Sequence, residues 1–412
     1  MAKKFIQFGC WNQGYCNKSD LDKKTPINSV MRQLETTLKT AKTKHDFIII
    51  AGDNYYPTKP EKNKSTKKEK KETSDLDKKK DKEGKIIMKA NLDSGFHCLP
   101  SDIEINIILG NHDLETSREK KMYIEDTANE EKGDCLIMQL EQAVIREKND
   151  ERTDKGNSNE ISLDLYKHKW LGLNTLVLMV DTSMYDTDDA TTFLPCYNVK
   201  TGKEYQDIEE LHTEQQEFVT RMIDRYYDRI ETIIVIGHHP ITGYKYKNEM
   251  TKLIRSFPGL MNLFLFIQAR LSAKQLNYYY LCADLHLYQI GTITITDVVT
   301  TQPIMSIKQY IVGTGGTKLD NSPFLMPDLP MPDDTVCFKS ATIEASYAMT
   351  PEQLSLSTSE KYGFLECELY KRQMYFKFID ADGNKYLEND NIIRKNDTKK
   401  IIRRTNKTRK RK

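Results

Sequence analysis

The chain has 412 residues, of which 38% are hydrophobic and 30% charged, with 62 basic against 60 acidic side chains. This length predicts one large domain or two ordinary ones, with a sizeable core. The richest apolar stretch, at 260–271, is interrupted by Asn262, Gln268 and Arg270, so we expect no membrane-spanning segment and no membrane partner.

Short apolar runs recur along the chain, and each ends in small, polar or metal-binding residues. These runs cover residues 5–8, 47–51, 103–109, 176–180, 233–236 and 278–282. Their length and their content of Ile and Val predict buried strands. After position 284, strands are predicted at 291–296 and 310–312, and a hairpin at 363–370 and 374–379.

Helices are predicted between some of these strands. Apolar side chains at helical spacing indicate a helix over 26–44, with Thr25 as its N-cap and Pro26 in its first position. A capping-box pattern of Thr213 and Gln216 predicts a second helix over 214–230. Alternation of strands and helices predicts an α/β sandwich, in which ligands collect beyond the carboxyl ends of the strands.

Two lysine-rich segments carry the positive charge of the chain. Residues 58–85 have a net charge of +5 and residues 394–412 of +10, while the other 39 basic and 52 acidic residues sum to about −13. Neither segment can bury enough apolar surface to order itself. We therefore predict one domain over 1–390 with a disordered insertion at about 58–88, and a disordered basic tail at 391–412. The tail at 394–412 either solubilises the chain or contacts nucleic acid.

The first residues lead directly into a strand, without the pattern of a secretion signal. A cytoplasmic or nuclear location is expected, with all eight cysteines as reduced thiols. The seven cysteines other than Cys10 show no CxxC spacing, and ordinary burial is predicted for them. Cys16, six residues after Cys10, could instead approach the candidate site.

Four potential metal ligands stand one to four residues past predicted strands: Asp53, Asn111, His238 and His286. Any one of them alone is more commonly a satisfied polar residue. Together, in the same topological position, they supply the oxygen and imidazole donors that divalent and trivalent metal ions need. Two such ions bridged by one carboxylate would activate a water for in-line attack on phosphorus.

Three of these positions lie in motifs that resemble those of the calcineurin-type metallophosphoesterases. The motifs are Gly52-Asp53-Asn54-Tyr55-Tyr56, Gly110-Asn111-His112-Asp113 and Gly237-His238-His239-Pro240. Tyr56, three residues after Asp53, is similar to the tyrosinate ligand of the purple acid phosphatase branch. The resemblance spans residues 5–383 and implies a four-layer sandwich of two mixed β-sheets flanked by helices.

The resemblance also implies roles for individual residues. Asp53 would bridge the two metal ions; Tyr56 and His286 would bind the first ion, and Asn111 and His238 the second. His112 would donate a proton to the phosphate or leaving group, and Asp113 would orient His112. His239 would either line the substrate site or only pack in its turn.

Two positions depart from the family pattern. Cys10 stands where the family has its first aspartate ligand, in Gly9-Cys10-Trp11-Asn12, and Asp284 replaces a histidine ligand of the second ion. Thiolate and carboxylate both bind metals, and a thiolate favours Zn²⁺ or Fe²⁺ over Fe³⁺. Two ions drawn from Fe, Zn or Mn are therefore the expected cofactors.

Two functions follow from this pattern. The first is metal-dependent hydrolysis of a small-molecule or protein phosphoester by a metal-bound hydroxide, as in acid phosphatases. The second is a catalytically weak or inactive binding or scaffold protein that retains the fold, because Cys10 and Asp284 replace two of the family's ligands.

Overall fold

The structure is a computed structural model that describes residues 2–21, 24–56, 92–115, 135–150, 161–186, 190–247, 250–253, 257–320, 335–349 and 361–387. The predicted insertion at 58–88 and the predicted tail at 391–412 lie outside these ranges. Within the described ranges, no helix combines the length and apolar character needed to cross a membrane.

The strands of the described chain follow one another as β1 (Lys3–Phe8), β2 (Phe47–Ala51), β3 (Glu104–Ile108), β4 (Ile161–Leu163), β5 (Lys167–Leu171), β6 (Thr175–Met179), β7 (Thr232–Ile236), β8 (Tyr244–Lys247), β9 (Met250–Leu253), β10 (Asn277–Cys282), β11 (Tyr288–Asp297), β12 (Pro303–Val312), β13 (Thr335–Lys339), β14 (Ile343–Met349), β15 (Gly363–Tyr370), β16 (Gln373–Asp380) and β17 (Lys385–Leu387). Every strand predicted from the sequence is among them. The apolar runs were sufficient to predict these strands, because a buried strand needs apolar side chains on both of its faces.

Two mixed sheets contain most of these strands. The first has the order β17-β16-β15-β1-β2-β3-β4, in which β1 to β4 run parallel. The second has the order β13-β14-β11-β12-β10-β7-β6-β5, with β6, β7, β10 and β12 parallel. β8 and β9 form a separate pair. The parallel strands matter for function, because their carboxyl ends meet at one edge of each sheet.

The helices are α1 (Pro26–Thr40), α2 (Leu136–Asp150), α3 (Leu194–Thr201), α4 (Ile208–Tyr226) and α5 (Pro258–Arg270), with a further short helix at 92–97. Three predicted boundaries were wrong: the end of α1, the start of α4 and the end of α4, which is Tyr226 rather than residue 230. α1 ends at Thr40, four residues early, because the chain turns back to pair with β1, where the amide of Asp46 donates to Lys4 O. α4 begins before Thr213, because the side chain of Asp207 caps the amide of Glu210 at 3.1 Å.

The layers follow from the alternation of side chains along the strands. One core cluster lies between the two sheets and contains inward-facing residues of both, among them Phe5, Ile49, Val177, Ile234 and Leu281. The second cluster joins the outer faces to the helices, among them Ile6, Ile48, Leu34, Leu176 and Phe264. The fold is thus an α/β sandwich of two mixed sheets flanked by helices, as expected.

The cysteines contradict the expectation of eight reduced thiols. Cys16 is bonded to Cys98, 82 residues away, and Cys135 to Cys196, 61 residues away. Such separations leave no local spacing signal, so the fold alone brings the partners together. Cys16 therefore does not join the candidate site, and the expected cytoplasmic or nuclear location loses the support that it drew from reduced thiols.

Candidate metal centre

Five strands deliver potential ligands to one place. Cys10 follows β1, Asp53 follows β2, His238 follows β7 and Asp284 follows β10, while Asn111 comes three residues after β3. Three of these residues adopt a left-handed backbone conformation, with φ of 51° at Cys10, 51° at Asp53 and 58° at Asp284. Such a conformation costs an L-residue about 1 kcal/mol, and its concentration at one site indicates a functional constraint.

The Asp53 carboxylate lies at the centre of the cluster, with 1% of the residue exposed. Its Oδ1 lies 3.2 Å from His238 Nε2 and accepts the His112 backbone amide at 3.2 Å. Its Oδ2 accepts the Tyr56 hydroxyl at 2.5 Å and the Cys10 thiol at 4.0 Å. Burial opposes ionisation, but His238 and His112 outweigh it and lower the pKa of Asp53. The two oxygens therefore face two separate groups of donors, as a bridging carboxylate would.

His238 is fixed so that Nε2 faces the cluster. Its Nδ1 lies 2.9 Å from Ala51 O, which requires the proton to be on Nδ1, and its backbone amide donates to Thr182 Oγ1 at 3.0 Å. Nε2 is left facing Asp53, and lies 3.9 Å from Asp284 Oδ1. Burial opposes protonation of His238, but the Asp53 carboxylate outweighs it and raises the pKa to about 9. A carbonyl that holds the other ring nitrogen is the usual support of a histidine ligand.

The single hydroxyl proton of Tyr56 faces two acceptors, Asp53 and His286. The Tyr56 hydroxyl lies 3.0 Å from His286 Nε2 as well as 2.5 Å from Asp53. His286 Nδ1 faces Lys318 O at 2.9 Å, so Nδ1 carries the ring proton and Nε2 is an acceptor. The His286 amide donates to Asp320 Oδ2 at 3.1 Å. A cation between the phenol oxygen, Asp53 and Nε2 would satisfy all three, so these residues fit a metal ion.

Asn111 also fits a metal ion. It follows Gly110, where an added Cβ would lie 2.3 Å from Asp53 Oδ1, so its turn packs directly on the central carboxylate. The Oδ1 atom of Asn111 is buried and has no hydrogen-bond partner among the described residues. A buried carbonyl oxygen without a partner is costly, and a metal ion would remove the cost.

His112 has a different orienting partner from the one expected. Its Nδ1 lies 2.8 Å from Glu115 Oε1, and its ring packs 5.1 Å from the ring of Tyr56. The motif predicts Asp113 in this orienting role. In the 3₁₀ turn at Asn111–Asp113, the Asp113 side chain points the other way, whereas Glu115, three residues after His112, reaches the ring.

Asp113 instead holds two loops of the site together. It is fully buried and accepts the amide of Gly110 at 2.8 Å, the amide of Asn54 at 2.9 Å and the Asn54 side-chain amide at 2.7 Å. Burial, and then the charge of Asp53, raise the pKa of Asp113 to about 7. Its role is to fix the turn that carries Asn111 and His112 against the turn that carries Asp53.

His239 is buried beside the cluster, with 2% of the residue exposed. Its Nδ1 lies 3.2 Å from Thr182 Oγ1, and its ring packs 4.9 Å from that of Phe257. Burial and the neighbouring His238 lower its pKa well below the usual range. A nitrogen of His239 also lies within 4.8 Å of donor atoms of His238 and Asp284. Both earlier interpretations are therefore compatible with its position: it packs in the turn and reaches the cluster.

Cys10 and Asp284, the two residues that differ from the motifs of the resembled family, point into the same cluster. Donor atoms of Cys10, Asp53 and His238 lie within 4.8 Å of one another, which makes a possible metal-binding group, and Asp284 shares a second such group with His238 and His239. Burial raises the pKa of Cys10 well above the usual range and also raises that of Asp284. Both replacements thus keep a donor at the position of the residue that they replace.

Comparisons with known proteins give only distant similarities. No protein-family model and no curated protein matches the chain. Among solved structures, it is similar to GAP50, the anchor in the inner membrane complex of Plasmodium, with 12% identity, a TM-score of 0.45, and coverage of 94% of this chain and 88% of that one. It is also similar to a protein described as a 5′-nucleotidase from Staphylococcus aureus in complex with alpha-ketoglutarate, with 11% identity and a TM-score of 0.37; the match covers 94% of this chain but 53% of that one.

The tertiary structure adds residues that the sequence analysis did not assign. Glu115, Thr182, Lys318 and Asp320 each fix a histidine of the cluster through one of the hydrogen bonds given above. Only Glu115 had a usable signal, because it lies three residues after His112 in a turn. The others come from distant segments of the chain and depend on the strand order of the second sheet, in which β12, β10, β7 and β6 are neighbours.

Proposed function

We propose that the chain is a metal-dependent hydrolase of phosphoric esters. The observation that carries this proposal is the arrangement around Asp53, whose two carboxylate oxygens face two separate sets of donors. A carboxylate that bridges two ions is the central element of dinuclear hydrolytic sites. Two further observations support the same interpretation: Asn111 Oδ1 has no hydrogen-bond partner among the described residues, and the single hydroxyl proton of Tyr56 faces both Asp53 and His286.

The donors divide into two sets around the bridge. Cys10, Tyr56 and His286 lie on the Oδ2 side of Asp53 and would hold the first ion. The second ion would be held on the Oδ1 side by the remaining donors, Asn111, His238 and Asp284. When bound, the pair of ions would supply Lewis acidity and an activated water for attack on phosphorus.

His112 would handle the proton of the leaving group. Glu115 orients the ring through Nδ1, and the backbone amide of His112 donates to Asp53, so the imidazole has a fixed place beside the cluster. About 30% of its side chain is exposed, which leaves it accessible to a substrate. A positioned imidazole that donates a proton to a departing alkoxide contributes about 10²- to 10⁴-fold in rate.

A second candidate is a metal-binding protein with little or no turnover. The replacements by Cys10 and Asp284 favour it, because each ligand change of this kind costs about tenfold or more in metal affinity or activity. The two candidates differ in turnover, so kinetic measurement separates them once the metal content is known.

The test uses the full chain loaded with Zn²⁺, Mn²⁺ or Fe²⁺, and measures both metal content and hydrolysis of para-nitrophenyl phosphate. We expect metal-dependent turnover that is abolished by Asp53→Asn and reduced at least about 10²-fold by His112→Asn. The matched control is His168→Asn, because His168 lies on β5 and packs against Phe218, away from the cluster. A protein that binds metal but shows no turnover would refute the hydrolase and leave the binding protein.

A further inference from the structure

One thiol belongs to the donor cluster, and its environment differs from those of other free cysteines. Cys10, Cys282, Cys337 and Cys367 are all free and buried. The thiol of Cys282 donates to Tyr310 O at 3.5 Å, and that of Cys337 to a backbone carbonyl at 3.4 Å. These are ordinary partners of a packed cysteine. The Cys10 thiol faces the Asp53 carboxylate instead, at 4.0 Å.

The backbone holds Cys10 in this orientation. Its amide donates to Gly52 O at 3.1 Å, and its carbonyl accepts the Thr317 amide at 3.1 Å, so both sides of the residue are tied to neighbouring loops. Its φ of 51° is unfavourable for a residue with a side chain. A cysteine needed only for packing would not require this conformation, because a conformation of lower energy buries a small apolar side chain equally well.

The rest of the first donor set suits a small tetrahedral ion. Carboxylate, phenolate and imidazole each provide one atom, from Asp53, Tyr56 and His286. With the thiolate of Cys10, they make four protein ligands, a number typical of Zn²⁺. The set on the other side of Asp53 contains oxygen and nitrogen donors from Asn111, His238 and Asp284. The Cys10 sulfur also lies within 4.8 Å of a His238 nitrogen, but its contact with Asp53 is to Oδ2, on the first side.

We propose that the two sites differ in metal preference: the first, which contains the Cys10 thiolate, selects a thiophilic divalent ion such as Zn²⁺, and the second takes a harder ion such as Mn²⁺. Soft sulfur ligands favour Zn²⁺, whereas carboxylate and carbonyl oxygens suit Mn²⁺. On binding, the thiol releases its proton to solvent and the sulfur–metal bond replaces the S–H bond. The inference rests on the metal site of the proposed function, but requires no hydrolysis.

Cobalt provides the test, because Co²⁺ occupies zinc sites and a thiolate ligand gives a charge-transfer band in the near ultraviolet. The full chain is titrated with Co²⁺, and then with Zn²⁺ and Mn²⁺ in competition. We expect a thiolate band that Zn²⁺ removes and Mn²⁺ does not. Cys10→Ser should abolish the band and weaken Zn²⁺ binding at least about tenfold. Cys337→Ser, which removes a buried free thiol that bonds a carbonyl, should change neither.

Cys10→Asp is the second variant, because aspartate restores a hard oxygen donor. It should lose the band, keep its metal content and shift its preference from Zn²⁺ towards Mn²⁺. Three results would overturn the inference. The first is cobalt binding without a thiolate band, and the second is a band that persists in Cys10→Ser. The third is the absence of metal binding by a folded wild-type chain. These measurements need no substrate. A thiolate band in a protein without turnover would therefore refute the proposed hydrolase activity but not the proposed difference in metal preference.

Discussion

Replacing Gly52 with alanine is expected to displace His238 and so to weaken the metal site. Gly52 lies between β2 and Asp53 with a φ of +78°, and a Cβ added there would meet His238 Nδ1 at 2.4 Å. The histidine cannot easily yield, because Nδ1 is bonded to Ala51 O and its amide to Thr182. Either the ring moves away from Asp53 or the turn itself moves.

The Gly52→Ala substitution should lower the free energy of unfolding for two reasons, and a matched control separates them. An alanine with positive φ costs about 1 kcal/mol, and forcing a side chain into a filled space costs about 1–3 kcal/mol. The control is Gly202→Ala, with a φ of +68° and nothing within 4 Å of the added Cβ. We expect Gly202→Ala to lower the free energy of unfolding by about 1 kcal/mol and Gly52→Ala by about 3 kcal/mol in total.

Urea denaturation measures both free energies, and Zn²⁺ competition with a chromophoric chelator measures metal affinity. Gly52→Ala should weaken the affinity by about 10- to 100-fold, as expected when a ligand loses its support, and Gly202→Ala should leave it unchanged. Equal stability and equal affinity in the two variants would refute the assigned contact between Gly52 and His238.

Two further predictions concern stability and thiol state. Burial opposes ionisation of Glu366, but a hydrogen bond from His45 and the ion pair with Lys377 lower its pKa. The ionised Glu366 therefore stabilises the folded state fully above about pH 4.3, the ordinary glutamate pKa. This stabilisation is lost as the pH falls towards the lower pKa of Glu366 in the folded state. Glu366→Gln should lower the free energy of unfolding at pH 7 by about 2 kcal/mol, as expected for the loss of hydrogen bonds to a charged group. It should also flatten the acid dependence of this free energy, measured by urea denaturation from pH 3 to 7. For the cysteines, denaturation without reductant should expose four thiols to a thiol reagent, and denaturation after reduction all eight.

Each of these predictions has its own control. For Glu366 it is Glu368→Gln, whose side chain is 29% exposed and pairs with Lys4 at 2.9 Å; such a pair contributes about 0–1 kcal/mol. An equal effect of both variants at pH 7 would contradict the assigned role of burial. For the thiols, eight reactive groups without reductant would contradict both disulfides.

Motif reasoning predicted the strands correctly and gathered several candidate donors at one place. The apolar runs predicted the strands, and the residues that follow them predicted where ligands gather, because parallel strands place their carboxyl ends at one edge. Asp53, Tyr56, His238 and His286 were assigned to one cluster from the sequence, and their side chains are in direct contact. The start of α4 was predicted wrongly because Asp207 is the N-cap of this helix. Thr213, which is also a plausible N-cap in the sequence, lies inside the helix.

By itself, the sequence determined the α/β class and predicted most of the candidate donor residues that the structure gathers beyond the carboxyl ends of the strands, since these depend on local hydrophobicity and on the chemistry of individual side chains. Only the tertiary structure decided which partner fixes each donor. It assigned Glu115 rather than Asp113 to His112, directed the Cys10 thiol at Asp53, and joined Cys16 to a cysteine 82 residues away. The contact of Glu115 is local, but Cys10 and Asp53 follow two neighbouring strands of the first sheet, and the disulfide joins segments 82 residues apart. The geometry of these last two contacts depends on strand pairing and on the folding of the whole chain, which no local pattern records.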